Sequence, residues 1–197
     1  KLLAGTHEHR HGGDAAGAVM PSIELAFEID CEVDAAWEAI HSPAAAERLY
    51  GPLLGLRPMT ELPARWESGS QATVRTMVLG LVPAGTQVIR TTDDTRRIGG
   101  VDVRIMRDSG RPLTGPLAVL SSWDHRMAVS PVAGNPARTL WRDRLVIGGP
   151  AAALLWPGLW LTWQWRRLRI TQLAPTWSAA SDRDFSDHAS PGAATQL

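Results

Sequence analysis

Between Gln71 and Gly148 the chain carries one β-prone segment after another, with no helix-length stretch between them. Parallel neighbours need crossover connections of a dozen or more residues, so segments spaced this closely pair antiparallel. Strands are predicted over 72–82, 86–93, 117–130 and 138–147, and a further one where Val101, Val103 and Ile105 alternate with Asp102 and Arg104. The expected turns are Pro83-Ala84-Gly85, the Gly- and Pro-rich stretch 110–116, and 131–137 with its Gly134-Asn135-Pro136.

The flanks differ from this run. Ile23, Leu25, Phe27, Ile29 and Cys31 share one parity, and Glu24, Ala26, Glu28, Asp30 and Glu32 the other. A period of two with that contrast predicts a strand with one wet and one buried face, and makes Cys31 a packing residue. Two short helices should follow, one over 35–41 capped by Asp34 and one capped by Ser42, with Pro43 at its first position and 44–50 continuing it. Residues 53–69 read as a loop. Pro150 opens a helical region expected to kink at Pro157-Gly158 and to end before Pro175. Helical spacing from Leu159 places Trp163, Ile170 and Leu173 on one stripe, with Leu161, Trp165 and Leu168 roughly opposite.

Composition limits the class. The 197 residues, 44% hydrophobic and 20% charged, suit one globular domain, placed at 21–175. A formal charge of zero argues against a general nucleic-acid binder. A single Cys excludes an intrachain disulfide framework and a multi-Cys metal cluster. Residues 1–20, with His7, His9 and His11, read as a disordered or artificial leader, and 176–197 as a disordered tail. The longest apolar run, 151–163, is too short to span a bilayer, and without a signal peptide the expected compartment is the cytoplasm. His41 is expected to be solvated at a helix end and His188 lies in the tail, so no metal site and no cofactor is predicted. Nucleophile-elbow, phosphate-loop, dinucleotide and zinc-protease motifs are absent, and the oligomeric state is left open.

The inner face of the late strands carries the chemistry. Trp123, His125, Met127 and Val129 share a parity opposed by Asp124, Arg126 and Ala128, so His125 should face inward. Asp143 should likewise face inward between Trp141 and Leu145. Pairing Val129 with Thr139 would set Met127 opposite Trp141 and His125 opposite Asp143. A carboxylate buried there needs a donor, which His125 could supply. Three readings stay open: a polar pair that pins strand register, an anchor for a ligand's carbonyl or hydroxyl, and a general acid/base dyad.

The element order, with Val33-Asp34-Ala35-Ala36-Trp37 entering the first helix, Trp123-Asp124-His125 in a late strand, Thr139 to Leu145 with Asp143 in the last strand, and Trp163 to Leu168 in the last helix, resembles the START-like helix-grip superfamily, or SRPBCC. The likeness covers about residues 21–175. It implies an α+β fold, a curved antiparallel sheet wrapped around a long C-terminal helix, with the first strand beside the last and a cavity between sheet and helix. Glu24, Glu28 and Asp30 on the first strand and Arg142 and Arg144 on the last support that neighbourhood independently. The resemblance implies a small apolar molecule as partner, lined by Trp123, His125, Met127, Trp141, Asp143, Leu145 and Trp163. The alternatives are a polyketide cyclase/aromatase-type enzyme using His125 and Asp143, or a protein-interaction module using Trp160 and Trp165 of the last helix.

Overall fold

The computed structural model describes residues 20–188, with side chains through 177. The leader histidines, the His188 side chain and the last nine residues lie outside the described residues. Strand β1 (Ser22–Ile29) is followed by helices α1 (Val33–His41) and α2 (Pro43–Tyr50). Strands β2 (Leu54–Pro58), β3 (Gln71–Val78), β4 (Val82–Ile98), β5 (Val101–Asp108), β6 (Arg111–Thr114), β7 (Ser122–Val132) and β8 (Asn135–Gly148) come next, and helix α3 (Ala152–His188) closes the chain. All pairings are antiparallel, in the order β1-β8-β7-β5-β4-β3-β2 with β6 on β4. The sheet curls around α3, as expected of an α+β helix-grip.

First and last strands are neighbours, and the charges anticipated between them meet. Glu24 stands opposite Arg144, whose Nε reaches its carboxylate at 2.8 Å. Arg138 spans Glu28 at 2.6 Å and Asp30 at 2.8 Å. These pairs are exposed and contribute little each, but they favour this edge register. Ser42 caps α2 through Ala45 N–H at 3.1 Å. The first helix starts earlier than expected: Glu32 stands at its cap and Asp34 lies in its first turn, paired with Arg104 at 2.7 Å.

Several expectations about element limits fail. Strand β6 lies inside the stretch expected to be a turn, and the strand expected over 117–130 is preceded by a short 3-10 turn at Pro116–Val119, so that β7 begins only at Ser122. The turn placed at Pro83-Ala84-Gly85 lies instead at Leu79-Gly80, both at positive φ, and β4 runs on for 17 residues. Gly85 has φ +127° where a side chain would collide with the Thr114 backbone, so it bends the strand at a bulge and does not end it. The stretch 53–69 contains β2, too short and too Gly-, Pro- and Arg-broken to show a period. Helix α3 continues through Pro175 to His188, with Pro157 and Pro175 inside it.

The core falls into two apolar clusters. One gathers Phe27, Ile29, Trp141, Ile170 and Ala174 under α1 and α2. The other gathers Ile23, Leu145, Ile147, Leu159 and Trp163 at the start of α3. Between Trp141 and Leu145 on β8 comes Asp143, and between Trp163 and Ile170 on α3 comes Arg166. The boundary between the clusters is therefore polar.

Candidate functional site

Asp143 is 1% exposed, and four donors close on it. His125 Nε2 lies 2.7 Å and Trp163 Nε1 2.9 Å from Oδ1. Arg166 donates to Oδ2 from Nε at 3.1 Å and from Nη2 at 3.0 Å. Burial pushes the Asp143 carboxyl up; the Arg166 charge and then His125 more than reverse this, holding it well below the usual carboxylate range. The group is a fixed anion with its lone pairs occupied. The Arg166 guanidinium, 2% exposed, also lies 4.9 Å from the centre of the Tyr50 ring, and its Nη2 lies 3.4 Å from Met127 Sδ.

The expected register is off by two residues. Val129 pairs with Trp141, Met127 with Asp143, and His125 with Leu145. The β7–β8 connection is tighter than expected: Val132 already pairs with Asn135, with a bulge after Pro131. A shift of two preserves parity, so both side chains still point inward, and they meet on the diagonal.

Asp108, 7% exposed, stands on β5 directly opposite His125. Its Oδ1 accepts from Arg90 N–H at 3.0 Å and Gly110 N–H at 2.9 Å, closing the Asp108-Ser109-Gly110 turn. A Cβ at position 110 would collide with the Val88 carbonyl, so glycine is needed for this approach. Burial raises the Asp108 carboxyl above its ordinary range, against the pull of those two N–H groups and of His125.

A cavity of about 320 Å³ opens between the sheet and α3, within the usual range for small-molecule sites. Trp123, His125, Met127, Trp141 and Trp163 line it, joined by Arg166, Tyr50 and Asp108. Asp143 and Leu145 do not line it; they stand behind that wall, where Asp143 holds His125, Trp163 and Arg166 in place. Trp165 is partly buried with an unpartnered Nε1, and Trp160 is 43% exposed.

No family model matches the chain, and no curated protein does. Solved structures do. A Chromobacterium violaceum protein is similar at 15% identity and a TM-score of 0.55, over 78% of this chain and 96% of its own. A hypothetical protein of Helicobacter pylori is similar at 8% identity and a TM-score of 0.54, over 88% and 99%. A Thalictrum norcoclaurine synthase point mutant, in complex with a transition-state analogue, is similar at 12% identity and a TM-score of 0.52, over 80% and 96%. The chain has the START-like helix-grip fold.

Within this helix-grip, sequence reasoning brought His125 and Asp143 together but missed Arg166, Asp108 and Tyr50. The signal for Arg166 was available. The buried stripe of α3 runs Leu159, Trp163, Arg166, Ile170, Ala174, so a cation falls on an apolar helical face and requires a buried acid. Asp108 had no such signal, because it sits at a strand end beside a Ser-Gly turn and reads as a loop residue. His41 is corrected outright. It is 0% exposed, with Nδ1 on the Trp37 carbonyl at 2.8 Å and Nε2 on the Asp93 carboxylate at 3.2 Å. Cys31 does pack inward at 2% exposure, and burial pushes its thiol up to about 11, so it is inert at neutral pH. Among the described residues, no helix is long and apolar enough to cross a membrane.

Proposed function

We propose that this protein binds a small, largely apolar molecule in the cavity between the sheet and α3. The observation that carries the reading is the cavity itself, open on one side, walled by Trp123, Trp163, Met127 and Trp141 and carrying a small cluster of buried polar side chains at His125, Arg166 and Asp108. Apolar lining with a few fixed polar groups is the usual make-up of a ligand pocket, where the first gives affinity and the second orientation. The four-donor lock on Asp143 supports an anchoring role over acid/base chemistry by that carboxylate: an ion already below its usual range, with no free lone pair, neither takes nor gives a proton near neutral pH.

Native mass spectrometry of the purified protein tests this directly, with naphthalene titration followed by Trp fluorescence as the second measurement. A retained apolar adduct, or saturable quenching as naphthalene enters beside Trp123 and Trp163, supports the reading. A bare mass together with no saturable quenching overturns it.

A further inference from the structure

At the end of the sheet farthest from β1, the β3–β4 hairpin and its neighbours β2 and β6 form a corner with unmatched apolar surface and unmatched charge. The hairpin turns through Leu79 and Gly80, at φ +50° and +69°. Asn, Asp or Gly usually fill such positions, because a larger L side chain crowds the backbone there. Here a leucine does. It is 62% exposed, beside Leu81 at 80% and Val82 at 61%. Neither the turn nor the core requires these side chains. The backbone of the tip is already satisfied: Leu79 N–H donates to the Leu53 carbonyl at 2.9 Å and Leu81 N–H to the Val78 carbonyl at 3.0 Å, while Arg57 Nη2 donates to the Gly80 carbonyl at 3.1 Å. The tip can therefore leave water without orphaning those groups. The charge here is one-sided. Segments 51–60, 71–92 and 109–123 hold Arg57, Arg75, Arg90 and Arg111 and no Asp or Glu. Arg57 and Arg75 stand directly opposite each other on β2 and β3, a like-charge pairing that lowers stability. Among the described residues none of these four meets an acid, whereas Arg104, Arg107, Arg138 and Arg144 elsewhere on the sheet each do.

We propose that this corner docks on an anionic lipid bilayer, with Leu79, Leu81 and Val82 at the boundary of acyl chains and head groups and with Arg57 and Arg75 at the level of the lipid phosphates. Apolar insertion and charge attraction are each marginal alone and sufficient together, the usual logic of an interfacial anchor. Protein interfaces centre on buried aromatic or Arg anchors in fitted pockets. Three aliphatic side chains on an exposed turn offer no such anchor and suit a fluid layer instead. None of the three lines the cavity, so the docking stands or falls apart from the binding reading above.

Sedimentation of the full chain with sucrose-loaded vesicles tests this, comparing phosphatidylcholine alone with phosphatidylcholine carrying about one-third phosphatidylserine. The mixed vesicles should bind at least about tenfold tighter than the neutral ones, and salt at about 0.5 M should cancel most of that difference. Leu79→Asn places a residue the turn prefers, so it should melt no lower than the unsubstituted protein while losing about tenfold in affinity for the mixed vesicles. Arg75→Gln, at an exposed strand position, should lose about fivefold on mixed vesicles and nothing on neutral ones. It also relieves the repulsion from Arg57, so unfolding does not explain its loss. Absence of binding to mixed vesicles overturns the proposal, and equal binding to the two vesicle types overturns the match to anionic lipid. Binding that both substitutions leave unchanged places the membrane contact elsewhere on the molecule and overturns it too. A dimer on a sizing column that Leu79→Asn converts to a monomer, with no vesicle binding, assigns the tip to contact between copies of the chain instead.

Discussion

Among the described residues, two buried histidines each meet an aspartate, and they do different work. His41 closes the last turn of α1 and spans to β4: one nitrogen contacts the Trp37 carbonyl and the other contacts Asp93, whose carboxylate side chain is 28% exposed. Both nitrogens are used, and His41 does not line the cavity. His125 meets an aspartate that is wholly buried, shares it with Trp163 and Arg166, and keeps one nitrogen free at the cavity wall. The first pair is a staple between a helix and a strand. The second is a scaffold that presents a ring edge to a space. What separates them is not the residue types but whether the ring's second nitrogen is consumed by the fold.

The sharpest way to break this comparison is to remove the carboxylate on each side. Asp143→Ala leaves Arg166 as an uncompensated buried cation and orphans two further donors. The expected loss is about 3–5 kcal/mol of unfolding free energy, on the order of 10 °C in Tm, read by urea and thermal melts. A loss below about 1 kcal/mol would place Asp143 in the same class as a surface acid and dissolve the distinction.

Acid titration probes the same carboxylate without a cavity. The Asp143 carboxyl lies below its ordinary value of 3.8 in the folded state, so its contribution is complete above that value and is lost as pH falls towards the lower, folded one. The urea midpoint should therefore fall steeply below about pH 5, and Asp143→Asn should flatten that limb. Asp108 acts in the opposite sense. Its folded value is raised, so its contribution is present at low pH and declines as pH rises through the folded value. Asp108→Asn should accordingly raise stability at neutral pH relative to acid. An acid limb that Asp143→Asn leaves unchanged would assign it to other groups.

How much of this was legible in the sequence follows from which features have a period. The alternation of β1, β7 and β8 fixed which side chains face inward, and parity survived a two-residue error in register, so His125 and Asp143 still met. The order of elements sufficed for the helix-grip. Features set by a single backbone bend left no period. Gly85 bends β4 where its sequence reads as a turn, and Asp108 gains its place only because Gly110 lets the Val88 backbone come close. His41 was misjudged because a helix end is solvated only if nothing crosses it, and a long β4 carrying Asp93 does. Arg166 was readable on the α3 stripe, but a Trp-rich helix draws attention to its apolar residues first.

The staple provides the next smaller effect. His41→Ala removes contacts to Trp37 and Asp93 and leaves a space under α1, for an expected loss of about 1–3 kcal/mol. Naphthalene affinity should stay within twofold, since only its neighbours Ala39 and Ile40 reach the cavity. His125→Ala, by contrast, should also destabilise and should change naphthalene affinity more than twofold, because its ring forms part of the cavity wall. If His41→Ala moves that affinity and His125→Ala does not, the roles assigned to the two rings are exchanged.

The smallest expected effect lies at Asp93. Asp93→Asn keeps an oxygen that can accept from His41 Nε2 and removes only a charge that water already screens, at contact distances of 3.2 and 3.3 Å. The expected change is within about 1 kcal/mol, far less than Asp143→Asn, although both replace an aspartate beside a histidine with its isostere. The ratio of the two losses is what matters, because it compares the same chemical change in two environments. Near unity, it would mean that burial and the Arg166 pairing contribute nothing special at Asp143. A clear excess at Asp143 would locate the energetic weight of the core's polar boundary there, behind the cavity wall.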